Sequence, residues 1–316
     1  MLYELAYPGL CLAELAQRLG RRRRLSGKPF TYRAERSRLQ RRELALLAGV
    51  SLPAAARLAL YRFEAARPRP DETVARSRRR GGRAQRRDGV DGALVERHFG
   101  TGQGPRVLLL HGWTARSAMM WPLAQALAAQ GARVTVPDLP GEGDNPAAVL
   151  SFTQKARILA QSYHAQPFDI VVGHSAGGLI AAQAIEQGLC ARHLVTICTP
   201  LSMATLLHAY LHRIDAPPAL LDALMALYER REGRSAHLVG PPVYVAHAGC
   251  MTLVQARFDW QVRLQEAEAI AELTGVAPVV LDGCNHHSIL TDSRLHDCLA
   301  GLLEHGAGAA TRQVRC

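Results

Sequence analysis

A serine between two glycines is the residue of this sequence whose setting most clearly suggests chemistry. Ser175 lies in the peptide Gly173-His174-Ser175-Ala176-Gly177, between an apolar run and a segment of small residues. A tight strand-to-helix turn would lift the serine hydroxyl above a sheet, and the glycines would remove Cβ atoms that collide there. The N-terminus of the following helix would favour a developing negative charge. The pattern predicts a nucleophile at Ser175; the alternative is an ordinary helix-capping serine.

A serine is a weak nucleophile by itself, so a base is needed elsewhere in the chain. Two adjacent histidines, His286 and His287, follow the last apolar run of the sequence at 277–283. The spacing Gly-x-x-His followed by Ile-Leu favours His286 as the general base. His287 remains the alternative.

An acid is also needed, because a carboxylate holds the imidazole by its other nitrogen and stabilises the imidazolium. Asp259 precedes an amphipathic, helix-like segment and lies 27 residues before His286. It is the predicted acid, and the alternative is that it only caps the helix after it. Asp282 is a second candidate. It lies only four residues before His286 and is expected on the strand, from which its carboxylate would not reach the imidazole.

Hydrolysis through a tetrahedral intermediate further requires two N–H donors for the oxyanion, each typically worth about 3 to 4 kcal/mol. Ala176, directly after the nucleophile, would supply one donor. Trp113 would supply the other, because Gly112 before it lets the backbone approach a substrate carbonyl closely. His111 precedes both residues and is expected to form hydrogen bonds beneath this loop rather than act as a base.

The elements that would position these residues alternate between short apolar runs and helix-length segments. Each run is continuously apolar, as a strand covered on both faces requires. The sequence therefore predicts an α/β fold with a mostly parallel central sheet and helices on both faces. The predicted strands lie at 106–112, 133–141, 168–175, 193–200, 241–249 and 277–283.

Composition divides the chain of 316 residues into four parts. Residues 1–65 favour a basic helical extension, and 66–90, rich in Arg, Pro and Gly, favour a solvated linker or arm. Residues 91–305 form the predicted catalytic domain, and 306–316 a tail. An inserted helical cap at about 201–240 accounts for the long gap between two strands. Its leucines could line an apolar acyl pocket or simply pack the cap: Leu206, Leu207, Leu211, Leu220, Leu221 and Leu224.

The positive charge of the protein is concentrated in its first 90 residues. These hold 22 basic and 8 acidic side chains, which gives +14, whereas the rest of the chain carries −3 of the total of +11. Arginine-rich stretches at 21–24, 78–80 and 83–87 could bind anionic lipid headgroups. A solvated arm is the alternative. Aromatic residues among these arginines are sparse, so specific nucleic-acid recognition is not predicted.

Several other classes are not favoured by the sequence. The first 20 residues lack a secretory leader, and no sufficiently apolar stretch of 18 residues is free of charge, so a cytoplasmic protein, peripheral to a membrane at most, is expected. Seven scattered cysteines without a Cys-x-x-Cys pair do not suggest a disulfide framework or a zinc site. His-x-His and His-Glu-x-x-His spacings are absent from the sequence, so no metal and no cofactor are predicted.

The region from about 92 to 305 resembles the α/β-hydrolase fold family. It contains, in family order, HGW, DLPGEGDN, GHSAGG, FDWQV and GCNHHSIL. More narrowly, it is similar to esterase-like bacterial hydrolases that carry a short helical cap and a basic N-terminal extension. The order Ser175, Asp259, His286 is the family's order of nucleophile, acid and base.

The resemblance implies hydrolysis of a carboxylic ester or thioester through an acyl-enzyme. The alternatives are an acyltransferase and a non-catalytic binding protein on the same scaffold. Dehalogenases and epoxide hydrolases of this fold have an acidic nucleophile, which Ser175 argues against. Two departures from the family pattern are the long interval between the strand predicted at 241–249 and Asp259, and the presence of Glu142 and Asn145 where the family more often has His and Ser.

Overall fold

The central feature of the fold is a twisted sheet whose carboxyl edge carries the residues discussed above. A computed structural model of the chain describes residues 34–65, 82–87, 94–145 and 149–308. Within this described part the sheet has eight strands, which are β1 (Arg83–Arg87), β2 (Leu94–Phe99), β3 (Arg106–Leu110), β4 (Arg133–Pro137), β5 (Phe168–His174), β6 (Ala191–Ile197), β7 (Met251–Ala256) and β8 (Val279–Leu281). Their order across the sheet is β1-β2-β4-β3-β5-β6-β7-β8.

The six strands β3 to β8 are joined by parallel pairs, and β2 runs antiparallel to both of its neighbours, β1 and β4. The parallel strands are apolar on both faces, as predicted. Leu108 and Leu110 of β3 face one hydrophobic cluster, whereas Val107 and Leu109 face another. Burial on both faces explains why these strands are continuous apolar runs and do not alternate with polar residues.

Helices cover both faces, which confirms the predicted fold class. The α-helices are α1 (Ala34–Val50), α2 (Leu52–Glu64), α3 (Trp121–Ala129), α4 (Phe152–Tyr163), α5 (Ala176–Glu186), α6 (Met203–Arg213), α7 (Ala219–Glu232), α8 (Pro241–Ala246), α9 (Leu264–Thr274) and α10 (Ser293–Gly308). Helices α3 and α10 contribute to the cluster that contains Val107, and α2, α4 and α5 contribute to the cluster that contains Leu108.

The strand predicted at 241–249 is wrong. This segment forms α8, and the strand follows it as β7. Pro241 and Pro242 open the helix, where a missing backbone N–H removes no helical hydrogen bond. Of the apolar residues after them, Val243 and Tyr244 are buried in the cluster that also contains residues of α5 and α9, whereas Val245 is 51% exposed. The insertion between β6 and β7 is therefore longer than 201–240, and β7 ends only three residues before Asp259.

The arm predicted at 66–90 is also wrong for part of its length, because Arg83–Arg87 form the edge strand β1. An edge strand tolerates charged side chains that an apolar-run criterion overlooks. Arg87 forms an ion pair with the buried Glu96 of β2, and its guanidinium lies 5.0 Å from the ring centre of Tyr163. The sheet thus begins before residue 91. The stretches 1–33, 66–81 and 309–316, including the basic runs at 21–24 and 78–80, lie outside the described residues.

None of the helices in the described part of the chain combines the length and the apolar character that crossing a bilayer requires.

Candidate active site

Ser175 lies on a sharp turn between β5 and α5. Its backbone adopts φ 56° and ψ −130°, a conformation that costs free energy for a residue with a Cβ. The glycines around it are needed for close approach. A Cβ on Gly173 would lie 2.4 Å from the Cα of Gly178, and one on Gly177 would lie 2.5 Å from the carbonyl oxygens of Leu110 and His111. The sequence therefore forms this turn because small residues allow β3, β5 and α5 to meet.

His286 and Asp259 form a buried pair at the same edge of the sheet. His286 Nδ1 lies 2.5 Å from Asp259 Oδ2, and both side chains are almost completely buried. The second carboxylate oxygen, Oδ1, accepts hydrogen bonds from the amides of Gln261 and Val262 at 2.8 and 3.0 Å. These amides fix the carboxylate, and the carboxylate fixes the imidazole. Because Asp259 follows β7 closely, the long interval noted from the sequence does not exist.

The two alternative residues lie elsewhere. His287 is exposed, with its Nε2 3.0 Å from the side-chain nitrogen of Gln261. Asp282 forms a surface ion pair with Arg257, and its side chain is 65% exposed. The structure therefore pairs His286 with Asp259 and places Asp282 outside this contact.

His174 holds the histidine loop against the serine turn. Its Nε2–H donates to the carbonyl of His286 at 2.8 Å, and the two rings are 4.7 Å apart between centroids. Burial, reinforced by the nearby His286 and His287, lowers the pKa of His174 well below its usual value. Since His174 precedes Ser175, the contact joins the serine turn to the loop that carries His286.

Cys198, which the sequence analysis did not single out, lies behind the pair. It follows β6 with a positive φ of 50° and is fully buried. Its sulfur, a carboxylate oxygen of Asp259 and a ring nitrogen of His286 all lie within 4.8 Å of one another. Burial and the neighbouring Asp259 raise the pKa of the Cys198 thiol well above its usual value. A protonated thiol can donate a hydrogen bond to the Asp259 carboxylate.

The loop after β3 lies directly beside the serine turn. A Cβ on Gly112 would come within 3.0 Å of the Ser175 Cβ, a contact so tight that one of the two segments would have to shift. The buried His111 supports the loop from beneath, because its Nδ1–H donates to the Gly112 carbonyl and its Nε2 accepts from the Leu139 amide, each at 2.9 Å. Trp113 follows Gly112 on this loop, and Ala176 is the first residue of α5.

The second departure from the family pattern is accommodated by a buried ion pair. Glu142 and Lys155 are both nearly inaccessible to solvent and contact each other. Asn145 donates to the backbone carbonyl of Asp138 at 3.3 Å. The Asp138 carboxylate in turn accepts from the amides of Ser117 and Asp144. These residues stabilise a turn below the loop that carries Trp113.

The comparisons with known proteins agree with this architecture. Residues 107–300 match the model of the alpha/beta hydrolase family. A pimeloyl-acyl-carrier-protein methyl ester esterase of Aeromonas salmonicida (strain A449) is 38% identical over 106 residues, which cover 31% of this chain and 39% of that protein. The chain therefore spans about two fifths or less of the length of the curated relatives that it matches.

Two solved structures show the same fold at low sequence identity. The N-acyl homoserine lactonase AidH superimposes with a TM-score of 0.56 at 18% identity, covering 72% of this chain and 99% of the lactonase. The esterase RhEst1 of Rhodococcus sp. ECU1013 gives a TM-score of 0.51 at 19% identity, covering 70% and 98% of the two chains. Together with the family match over more than half of its residues, the strand order and the serine turn, this shows that the chain belongs to the alpha/beta hydrolase family.

Proposed function

We propose that the protein is a serine hydrolase that cleaves a carboxylic ester or thioester. The observation that carries this proposal is the buried contact between His286 Nδ1 and Asp259 Oδ2, at the sheet edge that also carries the Ser175 turn. Asp259 would hold the ring in the tautomer whose Nε2 is free to take a proton. The esterase and lactonase names among the similar proteins support an ester-like substrate.

The reaction proceeds in two steps. In the first, Ser175 Oγ attacks the acyl carbon while His286 takes its proton, and the tetrahedral intermediate expels an alkoxide or thiolate that receives this proton. In the second, His286 takes a proton from water, the hydroxide attacks the acyl-enzyme, and the carboxylic acid leaves as Ser175 regains its proton. The amides of Trp113 and Ala176 stabilise the oxyanion in both steps. None of these steps requires a cofactor or a metal.

The acyl group is the less defined part of the substrate. Of the leucines that could have lined an acyl pocket, five are buried and serve to pack the insertion: Leu206, Leu207, Leu211, Leu220 and Leu224. Trp113, which is only partly buried and follows Gly112 beside the serine turn, is better placed to contact an acyl chain. A purely binding role is less favoured, because every position of the triad has a candidate residue. Acyl transfer would use the same triad with an acceptor other than water, and the esterase and lactonase names among the similar proteins favour hydrolysis over it.

The test of this proposal is the variant Ser175→Ala in the full chain. Its hydrolysis of a p-nitrophenyl ester should fall to background, and a fluorophosphonate probe should no longer label the protein. Ser235→Ala is the matched control, because Ser235 only caps a short turn in the insertion. This variant should keep both the ester hydrolysis and the labelling by the probe. Labelling of the Ser175→Ala variant would overturn the assignment of the nucleophile.

We also propose that the N-terminal extension contacts an anionic membrane surface. At the junction of α1 and α2, Leu46, Val50 and Leu52 are 74%, 86% and 36% exposed. The exposed Arg42 and Arg57 lie on the same two helices, in the region that carries most of the positive charge of the chain. Exposed apolar side chains together with nearby cations suit a bilayer of anionic lipids.

Cosedimentation with phosphatidylglycerol vesicles tests this proposal in the full chain. The double variant Val50→Asp/Leu52→Asp should bind about 10-fold less than the wild type. Leu238→Asp is the control, because Leu238 is 53% exposed but lies in the helical insertion. Equal binding by all three proteins, or equal binding to phosphatidylcholine vesicles, would contradict the proposal.

A further inference from the structure

Helix α2 lies outside the residues that match the family model, yet it is packed into the domain. Its Ala56, Leu60 and Phe63 are buried in the same hydrophobic cluster as β3 and α5. At its end, Glu64 accepts two hydrogen bonds from Arg231 of α7, at 2.9 and 2.5 Å. This helix is thus fixed on the insertion and close to the loop that follows β3.

A single hydrogen bond connects α2 to that loop. The indole Nε1–H of Trp113 donates to the backbone carbonyl of Phe63 at 2.8 Å. Phe63 lies in the last turn of α2, where carbonyl groups lack an amide partner within the helix. The bond therefore satisfies the only polar group of the indole and one orphan carbonyl of the helix at the same time.

Aromatic packing holds the Trp113 ring from two sides. The ring of Phe63 lies 5.0 Å from it at 31°, and the ring of Tyr210, on α6, meets it edge-on at 5.6 Å. Arg213, also on α6, places its guanidinium 5.8 Å from the centre of the Trp113 ring. With its ring clamped between α2 and α6, Trp113 has little freedom to rotate.

This restraint acts next to the nucleophile. Gly112, which precedes Trp113, is in close contact with Ser175, and Thr114, which follows it, has a positive φ of 56°. A positive φ of this kind persists only where the surroundings fix it. The hydrogen bond and ring contacts of the Trp113 side chain add to the restraints that His111 and the Gly112 contact place on this backbone. The Trp113 amide is the oxyanion donor in the proposed mechanism, and a displacement of about 1 Å at such a group can cost about 100-fold in rate.

We propose that α2 is a working part of the active site: Phe63, through its carbonyl and its ring, is a positioning residue that orients the Trp113 amide toward the oxyanion. Trp113, which is only partly buried, is then the member of this aromatic cluster that an apolar acyl chain would contact, since Phe63 and Tyr210 are buried. This inference rests on the proposed function, but it concerns a helix that the family match does not include.

The primary test is Trp113→Phe in the full chain, which keeps a ring but removes the indole N–H. We expect kcat for a p-nitrophenyl ester to fall about 10-fold while KM changes less than about threefold, because the donor acts mainly on the transition state. The inhibition constant of an alkylboronic acid, which forms a tetrahedral serine adduct, should rise by the same factor as kcat/KM falls. An unchanged kcat in a folded variant would overturn the inference.

A merely structural role predicts a different result. Phe152 stacks on Phe63 at 5.1 Å, so Phe152→Leu removes aromatic packing without removing the indole hydrogen bond. It should lower the unfolding midpoint but leave the ratio between the boronic acid inhibition constant and KM unchanged. If Trp113→Phe and Phe152→Leu change this ratio equally, Trp113 is only a packing residue and the inference is wrong.

A second pair of variants tests the role of α2 without changing Trp113: one variant loosens the helix and the other is its control. Arg231→Gln removes both hydrogen bonds to Glu64, whereas Arg234→Gln, also in the insertion, removes contacts to Glu186 and Leu238. We expect kcat to fall about threefold in the first variant only; an equal effect in both would argue against a specific role of α2. Failure of the proposed function is distinguishable, because the wild type would then neither hydrolyse the ester nor react with the fluorophosphonate.

Discussion

The carboxyl edge of the sheet and the helical layer above it position their residues by different means. At the sheet edge, Ser175, Cys198 and Asp259 follow three neighbouring parallel strands, and short backbone hydrogen bonds and close glycine contacts fix them. In the helical layer, Phe63 and Tyr210 are held by aromatic packing between segments far apart in the chain. The first region is therefore expected to respond to small changes with large losses of activity, and the second with graded ones.

The largest expected effect is that of Asp259→Asn. An amide cannot stabilise the imidazolium and favours the wrong tautomer of His286, so kcat should fall about 10³- to 10⁴-fold. Ester hydrolysis under saturating substrate measures this change. Asp282→Asn is the control, because its exposed ion pair with Arg257 contributes little and kcat should stay within about twofold. A small effect of Asp259→Asn would require another acid.

The turn beneath the nucleophile should be the next most sensitive position. Gly177→Ala would place a methyl group 2.5 Å from two backbone carbonyl oxygens, and we expect the free energy of unfolding to fall by about 3 kcal/mol. Urea denaturation measures the loss. Gly249→Ala meets nothing within 4 Å and should change the stability by less than about 0.5 kcal/mol. Equal stabilities would mean that β3 and α5 are not as close as described.

A smaller effect concerns the pH dependence of stability. Below about pH 6.5 the unfolded His174 binds a proton, whereas burial keeps the folded ring neutral. The unfolded state then binds more protons than the folded state. As the pH is lowered below about 6.5, this group should therefore reduce the free energy of unfolding by up to about 1.4 kcal/mol per pH unit. His174→Gln retains a hydrogen-bond donor but cannot titrate, so its stability should fall less steeply between pH 6.5 and 5. Parallel curves would exclude this role of His174.

These two regions also differ in how far the sequence predicts them. The parallel strands and the candidate residues Ser175, Asp259 and His286 follow from local patterns, because glycine spacing, apolar runs and loop positions are local signals. The choice of His286 over His287 likewise follows from local spacing. The structure brings His286 and Asp259 into contact, which sequence spacing alone could not establish.

The errors of prediction share a physical cause. Residues 241–246 carry two β-branched valines, yet they form α8, because the proline pair suits the first turn of a helix and the buried Val243 and Tyr244 pack against neighbouring helices. The edge strand β1 carries four charged or polar side chains among its five residues and lacks an apolar run. The bond between Trp113 and Phe63 joins residues 50 positions apart and leaves no periodic signal in the sequence. Long-range contacts of this kind become visible only in three dimensions.

The contact between Glu64 and Arg231 has a consequence for biosynthesis. The two residues are 167 positions apart, so α2 leaves the ribosome long before α7 has been made. At about 5 to 20 residues per second, this interval lasts on the order of 10 s. During that time the apolar side of α2, which includes Leu60 and Phe63, has no partner from the insertion. We therefore expect α2 to reach its final packing only after the insertion that contains α7 has been synthesised.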